Sequence, residues 1–194
     1  MKSTVGRPRS DEAHEAILDA ARDLLIEAGY DRLRLEHVAK RAGVGKATIY
    51  RRWSSKEELA EALLEQLASP HLTIPDSGDT RNELLQVVTN AIRGLAGSAF
   101  GPVVRALLSQ IAINPLLGDP FRESVVRTRR AQVSGVIERG IARGDLRDDA
   151  DASVATELLV GPVYYRLVFG GTLDEDFARR VVDGVFDGYR SRAV

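Results

Sequence analysis

Apolar side chains recur every three or four positions along nearly the whole chain, and β-branched runs bounded by turns are scarce, so the periodicity predicts an all-α protein. The first helix is expected from about Asp11 to Ala28, with Ile17, Ala21, Leu24 and Ala28 on one stripe, Ser10 as N-cap and Gly29 as its stop. A second, about Leu35 to Ala42, ends at Gly43, and a third, about Lys46 to Arg52, begins almost at once. Ser55 and Glu58 have the spacing of a capping box that opens a fourth helix running to about Ser69. Two prolines and a glycine between Pro70 and Asp79 read as a linker. Five more helices follow, at about Thr80 to Phe100, Pro102 to Asn114, Pro120 to Arg143, Asp151 to Phe169 and Leu173 to Arg192. Breaks are placed at Gly101-Pro102, Asn114-Pro115, Gly118-Asp119-Pro120 and Gly170-Gly171. The pattern thus predicts about nine helices in two domains, a small one over 1–69 and a larger helical bundle over 70–194.

Within the small domain, Val38, Val44 and Ile49 are apolar, Ala39 is small where two helices would cross, and Gly43 sits at the sharp turn, the spacing of a helix-turn-helix. Ile49 and Trp53, four apart, would face inward, leaving Thr48, Arg51 and Arg52 outward and Lys46 and Ala47 at the helix start. Charge sharpens this. The formal net charge of the 194 residues is only −1, but residues 32–56 hold 8 basic and 1 acidic side chains, flanked by segments of net −3 (1–31) and −5 (57–194). A short helix that is apolar inside and basic outside, in an otherwise acidic chain, is suited to a polyanion.

Other chemistry finds little support. The chain has no cysteine, which excludes disulfides and thiolate metal sites. His14, His37 and His71 share no metal-ligand spacing, and no metal or cofactor is expected. Gly43-x-Gly45-Lys46-x-Thr48 faintly echoes a phosphate loop, but no strand precedes it. No Gly-x-Ser-x-Gly occurs, and Asp145, Asp148, Asp149 and Asp151 do not follow a calcium-loop pattern, so an enzyme is not expected. The most apolar window, Val154 to Phe169, is too short for about 20 membrane-spanning residues and contains Glu157, Pro162 and Arg166. The start carries Lys2, Arg7 and Arg9 without an apolar run, so neither export nor a membrane span is expected, and a cytoplasmic location fits.

The chain resembles the tetracycline-repressor (TetR) family. The likeness lies in Arg7-Pro8 of a basic arm, Ala20-Ala21, Gly29-Tyr30, the unbroken run Val38-Ala39-Lys40-Arg41-Ala42-Gly43-Val44-Gly45-Lys46-Ala47-Thr48-Ile49-Tyr50-Arg51-Arg52-Trp53, and Ser55-Lys56-Glu57-Glu58-Leu59. It covers roughly residues 6–67; beyond that, only helix count and length agree. The resemblance implies a transcriptional regulator, a repressor released from a palindromic operator in double-stranded DNA by a small-molecule effector. It implies that Lys46, Ala47, Thr48 and Arg51 face base edges in the major groove, while Tyr50, Arg52 and Lys56 hold phosphates. Arg34 stands where the family commonly caps helix two with Thr or Ser, and Gly45 where Ser commonly precedes the recognition helix.

For the larger domain, the expected roles are ligand binding and homodimerisation through the last two helices. Plain apolar residues with a few isolated polar ones suit a cavity. Phe100, Leu107, Ile111, Phe121 and Tyr165 are the candidate wall, with Gln110 or Arg166 as a polar handle; equally, Tyr164-Tyr165 and Arg166 could pack a core or a subunit contact. On the last helix Phe177, Val181, Val185 and Tyr189 form a stripe beside Gly184 and Gly188. Two alternatives remain: a constitutive DNA-binding or activating dimer without effector, which would show a solidly packed second domain, and an enzyme with a fused DNA-binding domain, which would need convergent acid, base or nucleophile groups.

Overall fold

The computed structural model describes residues 9–67 and 73–191. Among these, all regular structure is helical apart from one isolated antiparallel bridge between Leu146 and Arg190. The helices are α1 (Arg9–Ala28), α2 (Leu35–Arg41), α3 (Lys46–Tyr50), α4 (Lys56–Leu67), α5 (Thr80–Ala96), α6 (Phe100–Ile113), α7 (Pro115–Phe121), α8 (Arg127–Ala142), α9 (Ala152–Phe169) and α10 (Glu175–Tyr189). A 3₁₀ turn, Tyr30–Arg32, precedes α2, and a π-helical turn, Arg122–Val126, joins α7 to α8. The basic arm at residues 1–8 and His71 lie outside the described residues.

Packing divides the chain into two compact units, the first formed by residues up to Leu67 together with Pro102–Phe121, the second by the remainder. In the first unit α1 packs on α2 and α4, α2 on α3, and α4 on α7. Ile17, Leu18, Ala21 and Leu25 of α1 are buried with Val38, Ala39, Ile49, Trp53, Leu59 and Leu63. The expected α1 stripe is therefore turned slightly: Leu18 and Leu25 are fully buried, Leu24 is half-buried, and Ala28 is exposed. Adjacent leucines satisfy the same helical period, so spacing alone does not choose between them. Ser10 lies inside α1, which begins at Arg9, rather than ahead of it.

The helix-two terminus explains why a glycine follows it. Val44 N–H reaches back to Ala39 O at 3.0 Å and Gly43 N–H to Lys40 O at 3.3 Å, the paired bonds of a Schellman stop, and Gly43 holds φ at +68°. A side chain there would force the left-handed region that L-residues resist. At α4 the capping is shared differently from the expected box: Glu58 N–H donates to Ser55 Oγ at 3.2 Å, while the Glu58 carboxylate accepts from Ser54 N–H and Oγ, both at 2.7 Å.

Two helix boundaries differ from expectation. α5 stops at Ala96, where Gly97 ends it and Ser98 Oγ donates to Gly94 O at 2.6 Å while accepting from Phe100 N–H at 3.1 Å, so α6 starts at Phe100. The break expected at Gly118-Asp119-Pro120 is absent, because Asn114 accepts from Leu116 N–H at 3.0 Å and starts α7 with Pro115 in the first helical position. Pro120 is then inside a helix. Its missing N–H and its ring crowd the carbonyl four residues back, and the next five residues widen into the π turn before α8 resumes the ordinary pitch.

In the second unit α5 packs against α8, α9 and α10, with α9 also against α8 and α10. Ile74, from the segment read as a linker, is buried, as are Leu84, Val87, Val88, Val133, Val136, Ile137, Leu159 and Val182. This apolar core contains one fully buried acid. Glu83 accepts from Arg139 (2.6 Å to Nη2), Arg143 (3.2 Å) and Ser77 N–H (3.0 Å). Arg143 also donates to Asp76 at 2.7 Å and to Thr80 Oγ1 at 2.8 Å, and Thr80 donates on to Asp145 at 2.7 Å. Gly140 lets the helices meet here: an added Cβ would lie 2.7 Å from Thr80 Cγ2 and 2.8 Å from Leu146 Cδ1. Burial raises the Glu83 carboxyl, but the bonds from Arg139 and Ser77 and both guanidiniums outweigh it and hold the group below its ordinary value.

Candidate nucleic-acid interface and ligand cavity

The third helix is a small amphipathic cylinder whose inner side is Ile49, which is fully buried. Trp53, just beyond the helix, is buried too and stacks on His14 with ring centroids 5.2 Å apart, which makes it a core anchor. With these two inside, Lys46, Ala47, Tyr50 and Arg51 are exposed and Thr48 and Arg52 half-exposed. The outward row is thus the one that spacing assigned. Gly45 is the N-cap and provides no side-chain bond; Thr48 N–H closes on its carbonyl at 2.9 Å.

Several of the expected contact residues already have partners within the first unit. Tyr50 Oη donates to Glu36 at 2.6 Å, which lowers the Glu36 carboxyl and raises the phenol. Lys56 Nζ donates to Tyr30 O at 3.3 Å and sits 4.0 Å from the centre of the Tyr30 ring, whose hydroxyl donates to Glu57 at 2.6 Å. One ammonium has three donors, so Lys56 keeps capacity for an anion at the start of α4, where the helix dipole favours one. Arg34, at the N-cap of α2, makes no side-chain cap; its guanidinium donates backwards to Asp31 O at 2.6 Å and Leu33 O at 2.9 Å.

The second unit holds a cavity of about 540 Å³ between α5, the π turn and the adjoining part of α8, and α9. Its wall is mostly apolar, with Ala91, Leu95, Phe100, Val125 and Val160, and its polar members include Asn90, Arg129, Gln132 and Tyr164. Burial holds the Tyr164 phenol above its ordinary range and lowers the Arg129 guanidinium.

Of the wall residues expected from sequence, Phe100 lines this cavity. Leu107, Gln110, Ile111 and Phe121 do not, and they belong to the first unit. Tyr165 is exposed and touches Phe169 (ring centroids 4.9 Å), while Arg166 lies 3.6 Å over the Phe177 ring and donates to Thr172 O. Of the two adjacent tyrosines, Tyr164 is the one that lines the cavity. Because α9 is apolar nearly all round, periodicity does not reveal which of the two tyrosines faces which way. Arg129 was hidden in the charge run Arg127 to Arg130, and Gln132 one turn later was the available signal.

The family model described as "Bacterial regulatory proteins, tetR family" matches residues 17–63, and that described as "Tetracyclin repressor-like, C-terminal domain" matches residues 74–185. The chain is 35% identical over 192 residues to the HTH-type transcriptional regulator YdeS of Bacillus subtilis (strain 168), covering 98% of this chain and 96% of that one. It is 30% identical over 181 residues to the DNA-binding transcriptional repressor TetR of Mycobacteroides abscessus, covering 91% and 93%. Among solved structures it is similar to the TetR family transcription regulator SCO0332, with a TM-score of 0.60 at 28% identity over 91% of this chain and 98% of that one.

Proposed function

The chain belongs to the TetR family of bacterial regulatory proteins and is a helix-turn-helix transcriptional regulator rather than an enzyme, and from that premise we propose that it is a dimeric, effector-released repressor. Residues 1–69 form the DNA-binding domain with its basic N-terminal arm; residues 70–194 bind the effector and dimerise. The observation that carries the DNA reading is the third helix: Lys46, Ala47, Thr48 and Arg51 project from a fully buried Ile49, and Arg is the side chain best shaped for a bidentate contact to guanine. Tyr50, Arg52 and Lys56 contact phosphates beside it, and Tyr50 exchanges Glu36 for a phosphate when it does so. Among the described residues no single helix is long and apolar enough to cross a membrane, and the protein works in the cytoplasm on double-stranded DNA.

Dimerisation is supported by an apolar face of α9 that stays exposed among the described residues. Val154, Leu158, Tyr165 and Phe169 follow one another at helical spacing, the last two 64% and 74% exposed. On α10, Phe177 and Val185 face the protomer's own core, whereas Gly184 and Gly188 are exposed, with no atom within 4 Å of an added Cβ. Helix interiors resist glycine by about 1 kcal/mol relative to alanine, and close approach of a second helix offsets that. Leu158→Glu is expected to give monomers by analytical ultracentrifugation; an intact dimer would remove α9 from the interface.

Two reading helices in a two-fold dimer require an inverted repeat with half-site centres about one helical turn, or a multiple, apart. Selection of bound duplexes from a random pool tests this, and enrichment of single half-sites or of no sequence at all counts against it. The cavity favours effector release over a constitutive dimer with a solid second domain. A ligand that binds the released form better than the DNA-competent one by about 1.4 kcal/mol weakens DNA binding tenfold.

A further inference from the structure

The cavity in the second unit departs from an ordinary apolar void in having an arginine in its wall. Arg129 lines it from the first turn of α8, and its Nη1 donates to Gln132 Oε1 at 3.1 Å, one turn on. A guanidinium has five N–H donors, so one bond to a neutral amide leaves most of them to other partners. Among the described residues no carboxylate pairs with it. The contrast lies at the other end of the same helix, where Arg139 and the C-cap residue Arg143 are both neutralised, by Glu83, Asp76 and Asp145. Glu157 and Arg93, which also line the cavity, are exposed to solvent and of opposite sign.

A cation drawn into a mostly apolar enclosure is unfavourable unless an anion meets it, and buried charges in proteins are generally paired. We infer that the missing anion arrives with the effector: the cavity takes an amphiphilic anion, an apolar body of drug-like size carrying one carboxylate, phosphate or sulfonate that Arg129 receives. Ala91, Leu95, Phe100, Val125 and Val160 enclose the apolar body, and about 540 Å³ lies within the range of sites for such molecules. Tyr164 stands on the same wall as Arg129, and burial keeps its phenol protonated and therefore a hydrogen-bond donor to the same group. This inference rests on the reading of the cavity as an effector site and adds the chemical class of the effector.

Two dyes with the same rings separate the charge from the apolar body: anilinonaphthalene sulfonate, an anion, and phenylnaphthylamine, which lacks the sulfonate. The full chain is expected to bind the anion more tightly by about tenfold, as a charge-assisted bidentate contact permits. Arg129→Gln should abolish that preference by weakening the anion alone, and Arg129→Lys should restore part of it. Displacement of the dye by dodecanoate but not dodecyl phosphate assigns a carboxylate, and the reverse a phosphate; displacement by dodecanol alone overturns the inference. It is also overturned if Arg129→Gln binds both dyes as the parent does, or if the parent prefers the neutral one. Val160→Trp tells this failure from that of the cavity reading. If it excludes both dyes while Arg129→Gln changes neither, the site stands and only the anion is wrong; if it excludes neither, the cavity itself is not the site. Should that variant fail to fold by its helical dichroism, Gly161→Phe replaces it, since an added Cβ there meets no atom within 4 Å.

Discussion

The exposed face of α3 in the first unit and the polar floor of the second both depend on arginine, and they treat charge in opposite ways. At the two ends of α3, Lys46 and the C-cap residue Arg51 stand exposed over an apolar underside, with Glu36 the only acid between residues 32 and 56. At the end of α8, Arg139 and the C-cap residue Arg143 converge on the fully buried Glu83, which ties the start of α5 and the 73–79 segment to one helix. Charge left free at a surface is available to a partner but adds little to stability; charge closed on itself inside holds elements together but offers a partner nothing. Arg129 belongs to neither class, being drawn inward on α8 without an acid.

The largest effect is expected from removing the Glu83 carboxylate. Glu83→Gln is expected to cost about 3 kcal/mol, the low end for breaking a buried pair because both arginines retain some solvent. Urea unfolding followed by helical dichroism measures it, and an unchanged midpoint would deny the network its structural role. A pH dependence accompanies it. With the folded carboxyl held below its ordinary value, Glu83 contributes stability that is present above the unfolded value of about 4.3 and lost as pH falls through the folded one, and the Gln variant should lack that part of the acid limb.

On the exposed face of α3 and its flanks, changes should leave stability nearly intact and alter DNA binding instead. Arg51→Ala is expected to cost about 1 to 3 kcal/mol on the preferred site and to relax base preference there. Lys56→Ala should weaken all duplexes alike and lower the salt slope by about one, with some loosening of the Tyr30 turn it packs against. Titrations on matched and scrambled duplexes at several salt concentrations check both; equal losses of specificity would erase the division of roles. Gly43→Ala should destabilise the first unit by about 1 kcal/mol through its positive φ alone, as no atom lies within 4 Å of the added Cβ. The smallest effect sharpens the picture from the other side: Gly45→Ser supplies the absent cap of α3 and should stabilise by a few tenths of a kcal/mol in thermal melts, there being equally open space around it.

How much of this was legible in the sequence follows from how far apart the interacting residues lie. The turn between α2 and α3 is specified by neighbours, Ala39 through Val44, and the outward row of α3 follows from Ile49 and Trp53 four residues apart. The floor of the second unit joins Glu83 to residues 56 and 60 positions later, which no local pattern announces. Pro120 looked like a break because helix interiors exclude proline, yet the π turn after it absorbs the misfit. The cavity was the least legible part. It depends on the rotational setting of α9, and a helix apolar nearly all round has too little periodic signal to fix that setting, which is why spacing points to Tyr165 where Tyr164 lines the cavity.

Trp53 gives the molecule an optical asymmetry. It is the single tryptophan of the chain, buried in the first unit and stacked on an imidazole, while the second unit has none. Its fluorescence therefore responds to the environment of the first unit's core alone, whereas far-ultraviolet dichroism sums the helices of both units. Melting curves from the two signals will coincide if the halves unfold as one and separate if they do not. A native spectroscopic label thus distinguishes the halves without altering a single residue.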